Sequence, residues 1–280
     1  MKRKKLVLVV GVLYIFLVMV SACFSSRMSD AEMKKYFAQS PYPPSRHYYE
    51  ALGRQLHYVS AGASSKQPVL FVHGSPGSWD NFKSFLKDTF LLAHYRLMSV
   101  DRPGFGDSKE EGAEDELKNQ AAALLPILKQ QKQSVVLVGH SYGGPVIVQA
   151  AIDYPEYIRA LVIVAGSVSP TLEPANWYRY PLKYTPLRWA IPSFFRSSND
   201  ELLPLKKELE KMLPYWNKVK CPVVVVQGGK DVLVAPENAQ FVKQQLPHVK
   251  VTTIWKNNMN HFVPWSDPDL IIEGIKMALE

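Results

Sequence analysis

The sequence predicts an α/β fold: one mostly parallel sheet flanked by helices, with a helical insertion after its sixth strand. Three observations carry this. Short Val-rich runs at 69–72, 135–138 and 223–226 read as strands buried on both faces, as parallel strands are. Helical patterns alternate with them, which requires a sheet covered on both sides. Between Gly166 and Val219 the alternation stops, and about fifty residues dense in Pro and aromatics contain no strand pattern.

At 280 residues, with 47% hydrophobic and 21% charged positions, the chain suits one large domain with an insertion rather than a disordered protein. The formal net charge is +8, but Lys2, Arg3, Lys4 and Lys5 supply half of it. No later run interleaves Lys and Arg with aromatics, so a nucleic-acid surface is not expected.

The elements follow in order. Residues 1–5 are basic and 6–20 are an unbroken apolar run, shorter than the roughly twenty residues a bilayer span needs. With the small residues Ser21 and Ala22, this reads as a signal peptide over 1–22. Residues 23–47 read as a tether. Ser29 and Glu32 form a capping box ahead of a short helix whose apolar face is Met33, Tyr36 and Phe37, suited either to the domain or to a membrane surface. Pro41-Tyr42-Pro43-Pro44 reads as a stiff spacer. Strands are expected at 48–51, 55–60, 69–72, 95–100, 135–138, 160–165, 223–226 and 249–255. Helices are expected at 114–133, with a kink or break at Pro126, at 145–153, from Pro236, and at 268–279. The core is thus 48–165 with 220–280. The insertion 166–219, with an amphipathic helix at 198–213, has the size of a lid. Cys221, before Pro222 at the start of a strand, reads as a small core residue.

The chemistry concentrates in Gly139-His140-Ser141-Tyr142-Gly143-Gly144, a Gly-x-Ser-x-Gly pattern between a strand and a helix. A serine on so sharp a turn is exposed above the sheet, at a helix N-terminus that favours developing negative charge. A serine hydroxyl needs a base and a group that orients the base. Of the seven histidines, only His261 lies on a loop just after a late strand, at the carboxyl edge where ligands bind. Asp231, in the tight turn Gln227-Gly228-Gly229-Lys230-Asp231, reaches the same edge. The catalytic set is therefore Ser141, His261 and Asp231. The backbone N–H groups of Tyr142 and Ser75 are the expected oxyanion donors, Ser75 standing in the loop His73-Gly74-Ser75-Pro76-Gly77.

These motifs, with Asp101-Arg102-Pro103-Gly104-Phe105-Gly106-Asp107-Ser108, resemble the α/β-hydrolase superfamily over residues 48–280, and the order Ser, Asp, His matches that fold. The resemblance implies an α/β-hydrolase fold in which 101–108 shapes the pocket floor. It implies a serine hydrolase, foremost a carboxylesterase acting on a small-molecule ester, with no metal or organic cofactor. Serine at 141 disfavours the epoxide hydrolase and dehalogenase types, which carry Asp there. Amide, thioester or C–C bond hydrolysis, acyl transfer, and a non-catalytic binding role stay open. Val20-Ser21-Ala22-Cys23 resembles the lipobox of bacterial lipoproteins, which implies lipidation of Cys23 and an exported, membrane-anchored protein facing the periplasm or cell exterior. Plain secretion or an uncleaved anchor are the alternatives.

Overall fold

The computed structural model describes residues 27–108, 112–174 and 176–280, together with Gly11. Apart from Gly11, the expected signal peptide lies outside the described residues, as does Cys23. Among the described residues no helix is long and apolar enough to cross a membrane.

The sheet has eight strands: β1 (Ser45–Ala51), β2 (Arg54–Ala61), β3 (Gln67–Val72), β4 (Tyr95–Asp101), β5 (Val135–His140), β6 (Ile158–Val164), β7 (Val223–Gly228) and β8 (Val251–Lys256). Their spatial order is β1-β2-β4-β3-β5-β6-β7-β8. The β1–β2 and β2–β4 pairs are antiparallel; every later pair is parallel. The expected α/β class is what the chain adopts. The β1–β2 hairpin turns through Leu52 and Gly53, both at positive φ, as the twist of a two-residue hairpin loop demands.

The central strands are apolar throughout because each face of the sheet has its own core. In β5, Val135 and Leu137 join one hydrophobic cluster and Val136 and Val138 the other. In β7, Val223 and Val225 face one way, Val224 and Val226 the other. The first cluster is covered by α3 (Leu117–Lys129) and α4 (Gly143–Asp153). The second is covered by α1 (Asp30–Tyr36), α2 (Thr89–His94) and α10 (Pro268–Met277).

Three local differences from the sequence expectations have physical reasons. The helix at 117–129 is not broken into two pieces at Pro126, which sits in its last turn and supplies no N–H to the helical ladder. The expected helix at 198–213 is instead two, α6 (Ser193–Leu202) and α7 (Leu205–Met212), and Pro204 occupies the N-cap of the second, where a proline is tolerated. The tether is not a free spacer. Met28, Met33 and Phe37 are buried in the second cluster, and Phe37 stacks on Trp79 with ring centroids 6.5 Å apart. The capping box at Ser29 and Glu32 closes α1 as expected. Beyond it, Arg27 and Arg46 both pair with Asp107, holding this segment to the turn after β4.

Between β6 and β7 the chain is helical. It contains α5 (Tyr180–Tyr184), α6 and α7, with short 3₁₀ turns at Trp177–Arg179, Pro186–Ala190 and Leu213–Lys218. The last part of the chain adds α8 (Asn238–Gln245) and α9 (Val263–Ser266) ahead of α10.

Candidate active site

Ser141 follows the last residue of β5 and precedes α4, with φ +53. A non-glycine residue in left-handed backbone costs about 1 kcal/mol or more and persists only where its surroundings impose it. Here they do. The Ser141 amide donates to the Val164 carbonyl at 2.9 Å, and its carbonyl accepts from Gly144 at 2.9 Å. A side chain on Gly139 would run into the Gly143 backbone, and one on Gly143 into the Val72 carbonyl. The two flanking glycines therefore let the turn close.

The loop after β8 brings in His261. Its Nδ1 donates to Asp231 Oδ2 at 2.8 Å, which leaves Nε2 as the nitrogen a base uses. Both side chains are buried. Two backbone bonds splice their loops together: Gly229 N–H to Lys256 O at 3.1 Å and Lys230 N–H to Met259 O at 3.0 Å. Burial pushes the Asp231 carboxyl up, but the His261 ring and the amides of Val234 and Leu233 outweigh it and hold it below the ordinary carboxylate value.

His140, the residue before the serine, ties the two halves of the site. Its Nε2 lies 2.9 Å from the His261 carbonyl, so Nε2 carries the proton and donates. Burial, then the neighbouring His261, drives its pKa down to about 3, so it is a neutral donor. The two rings lie 4.9 Å apart. The residue beside Ser141 thus holds the backbone of His261.

The loop after β3 approaches from the other side. A Cβ built on Gly74 would lie 2.9 Å from the Ser141 Cβ, so only glycine allows this approach. Ser75, half-buried, comes next; Tyr142, the residue after Ser141, is buried. The structure therefore brings Ser141, His261, Asp231, Ser75 and Tyr142 to one edge of the sheet, at the carboxyl ends of β3, β5, β7 and β8.

The sequence expectations missed three acidic or basic groups. Arg102 and Glu201 are wholly buried and form a bidentate pair, Nη1 to Oε2 at 2.6 Å and Nη2 to Oε1 at 2.8 Å. Burial raises the Glu201 carboxyl, with Arg102 opposing. Glu173 is buried close by the nucleophile turn: its carboxylate meets the Ser167 hydroxyl, and the Ser167 amide donates to the Ser141 carbonyl at 3.3 Å. Burial raises Glu173 as well. Neither glutamate lies in a motif, and the partners of Glu201 are remote in sequence.

One group of potential metal ligands exists among the described residues: His57, Asp101 and Asp107. It does not suit a cation. Asp101 Oδ2 accepts from His57 at 2.7 Å and Oδ1 from the Trp79 amide at 2.7 Å, while Arg27 and Arg46 take Asp107. The cluster is an internal strut joining β2 to the turn after β4.

Comparison with known proteins agrees with this architecture. A family model described as the alpha/beta hydrolase fold matches residues 67–192. The chain is 26% identical over 236 residues to Lipase 1 of Psychrobacter immobilis, covering 72% of this chain and 74% of the relative. The chain has the α/β-hydrolase fold. Among solved structures, a membrane phospholipase A described as a bacterial virulence factor superposes with TM-score 0.65 at 18% identity, covering 100% of this chain and 98% of the other. A serine hydrolase from Cycloclasticus zankles superposes with TM-score 0.67 at 15% identity, covering 84% and 97%. At such identities the structural matches speak to fold alone.

Proposed function

We propose that this α/β-hydrolase is a serine carboxylesterase held at a membrane. The observation that carries the chemistry is Ser141 in left-handed backbone at a strand–helix junction, with His140 binding the loop of a His261 already bonded to Asp231. In this reading Ser141 Oγ attacks the ester carbonyl while His261 Nε2 takes its proton. The imidazolium that forms is stabilised by Asp231, and its proton passes to the leaving alcohol. Water, activated by the same ring, then releases the acid from the acyl-serine. The amides of Ser75 and Tyr142 hold the oxyanion in both steps. No step requires a metal or organic cofactor.

The surface supports the membrane part of the proposal. Trp177, Tyr178, Tyr180, Tyr184, Leu187 and Trp189 are all exposed, Trp177 by 73%. Residues 176–199 carry Arg179, Lys183, Arg188 and Arg196 and no acidic residue. Trp and Tyr interleaved with cations suit the headgroup level of an anionic bilayer. This segment follows β6, and Arg27 meets the turn after β4, both at the carboxyl edge of the sheet. A lipid carried by Cys23, four residues before Arg27, would therefore enter the bilayer on the same edge as the site and its aromatic cover. The substrate class this favours is an amphiphilic acyl ester.

Turnover of p-nitrophenyl esters of increasing acyl length, beside the matching p-nitroanilides, tests the reaction class. The expected result is ester hydrolysis with the anilides left intact. Preferential anilide cleavage would replace the esterase reading with an amidase.

A further inference from the structure

We infer that Glu201, on the helical segment inserted between β6 and β7, is a positioning residue for the oxyanion-binding amide of Ser75 and acts on it through Arg102. The inference rests on the serine hydrolase reading and concerns how its oxyanion hole is aimed.

Two donors fix the Gly74 carbonyl. It accepts from His73 Nδ1 at 2.7 Å and from Arg102 Nη2 at 2.8 Å. The His73 ring is fixed in that tautomer because its Nε2 accepts the Arg102 backbone N–H at 3.0 Å. Arg102 Nε adds a bond to the His73 carbonyl at 2.9 Å. The Gly74–Ser75 peptide is trans, so its N–H points opposite to its C=O. Pinning the Gly74 carbonyl with two donors therefore aims the Ser75 N–H the other way. The closeness of Gly74 to the Ser141 side chain makes this a lever at the reacting centre.

Arg102 in turn needs an anchor. Its guanidinium lies over the Phe105 ring at 4.9 Å and the Tyr142 ring at 4.6 Å, so it touches the residue that carries the second oxyanion amide. Nη1 and Nη2 each donate to Glu201, whose carboxylate also accepts from Gln120 at 3.1 Å. Ser75 itself reaches the same helix, its hydroxyl donating to Ser198 Oγ at 2.8 Å. Arg102 and Glu201 are both fully buried, where a guanidinium–carboxylate fork is rigid and loss of one partner leaves the other uncompensated. Helix α6 and the loop after β3 thus form one hydrogen-bonded unit.

The test uses full-length protein carrying Glu201→Gln or Glu201→Asp, the latter keeping the charge one methylene short. Active sites are first titrated with a fluorophosphonate, and kcat is expressed per titrated serine for a soluble short-chain ester. Affinity for a trifluoromethyl ketone, whose adduct carries the oxyanion, is measured in parallel. Expected is a fall in kcat of about tenfold to a hundredfold, less than or near the loss of one oxyanion donor, with KM within about twofold. The ketone should weaken by the same factor as kcat. If Glu201→Gln does not fold, Glu201→Asp alone decides the matter. Unchanged kcat per titrated site, with only the yield of active protein reduced, would overturn the inference and leave Glu201 a purely structural residue. A wild-type protein that takes up no fluorophosphonate would fail the hydrolase reading instead, and so be told apart.

Discussion

At Asp231 the proposed catalytic role and the stability of the fold rest on the same carboxylate. Its carboxyl lies below the ordinary value in the folded chain, since the His261 ring and two amides outweigh burial. A depressed carboxylate stabilises the fold at neutral pH, and that contribution is lost as pH falls through the folded value. Asp231→Asn should therefore lower the denaturation midpoint at pH 7, and the gap from wild type should close below about pH 4. The same variant should lose about 10⁴-fold in kcat at neutral pH, because the amide selects the wrong His261 tautomer. Thermal melts and ester turnover across pH read both. Ser141, Asp231 and His261 were legible in the sequence because each stands in a short polar turn immediately after an apolar strand, and strand edges are what sequence patterns locate best. Arg102 and Glu201 were not. They are 99 residues apart, and nothing local to either announces a buried fork.

At the scale of elements, sequence patterning located the strands to within a few residues because buried parallel strands have no polar face to confuse the pattern. Helix ends were less legible where proline intervenes. Pro126 sits where a helix has nearly finished, and Pro204 divides two helices, yet both look alike in sequence. The short α1 was legible as a capped helix, but its apolar face suited a membrane as well as a core, and only the fold decides between them. Phe37 is 2% exposed against Trp79 and the second core cluster. Phe37→Ala should therefore destabilise the whole domain by about 3 kcal/mol, measured by denaturant unfolding. A free tether would lose nothing.

At the scale of the whole molecule, the parallel sheet places four loop ends at one edge, and the site is assembled there from the loops after β3, β5, β7 and β8. The inserted α6 meets that edge through Ser198 and Glu201, and the insertion presents aromatic side chains to solvent. In the proposed mechanism this edge holds one activated serine. Intact-mass analysis after fluorophosphonate treatment, wild type beside Ser141→Ala, tests that most directly. The account predicts a single adduct, mapped to Ser141 by peptide sequencing and missing from a folded Ser141→Ala protein. A folded wild type that stays unmodified, or an adduct on a different residue, would contradict it.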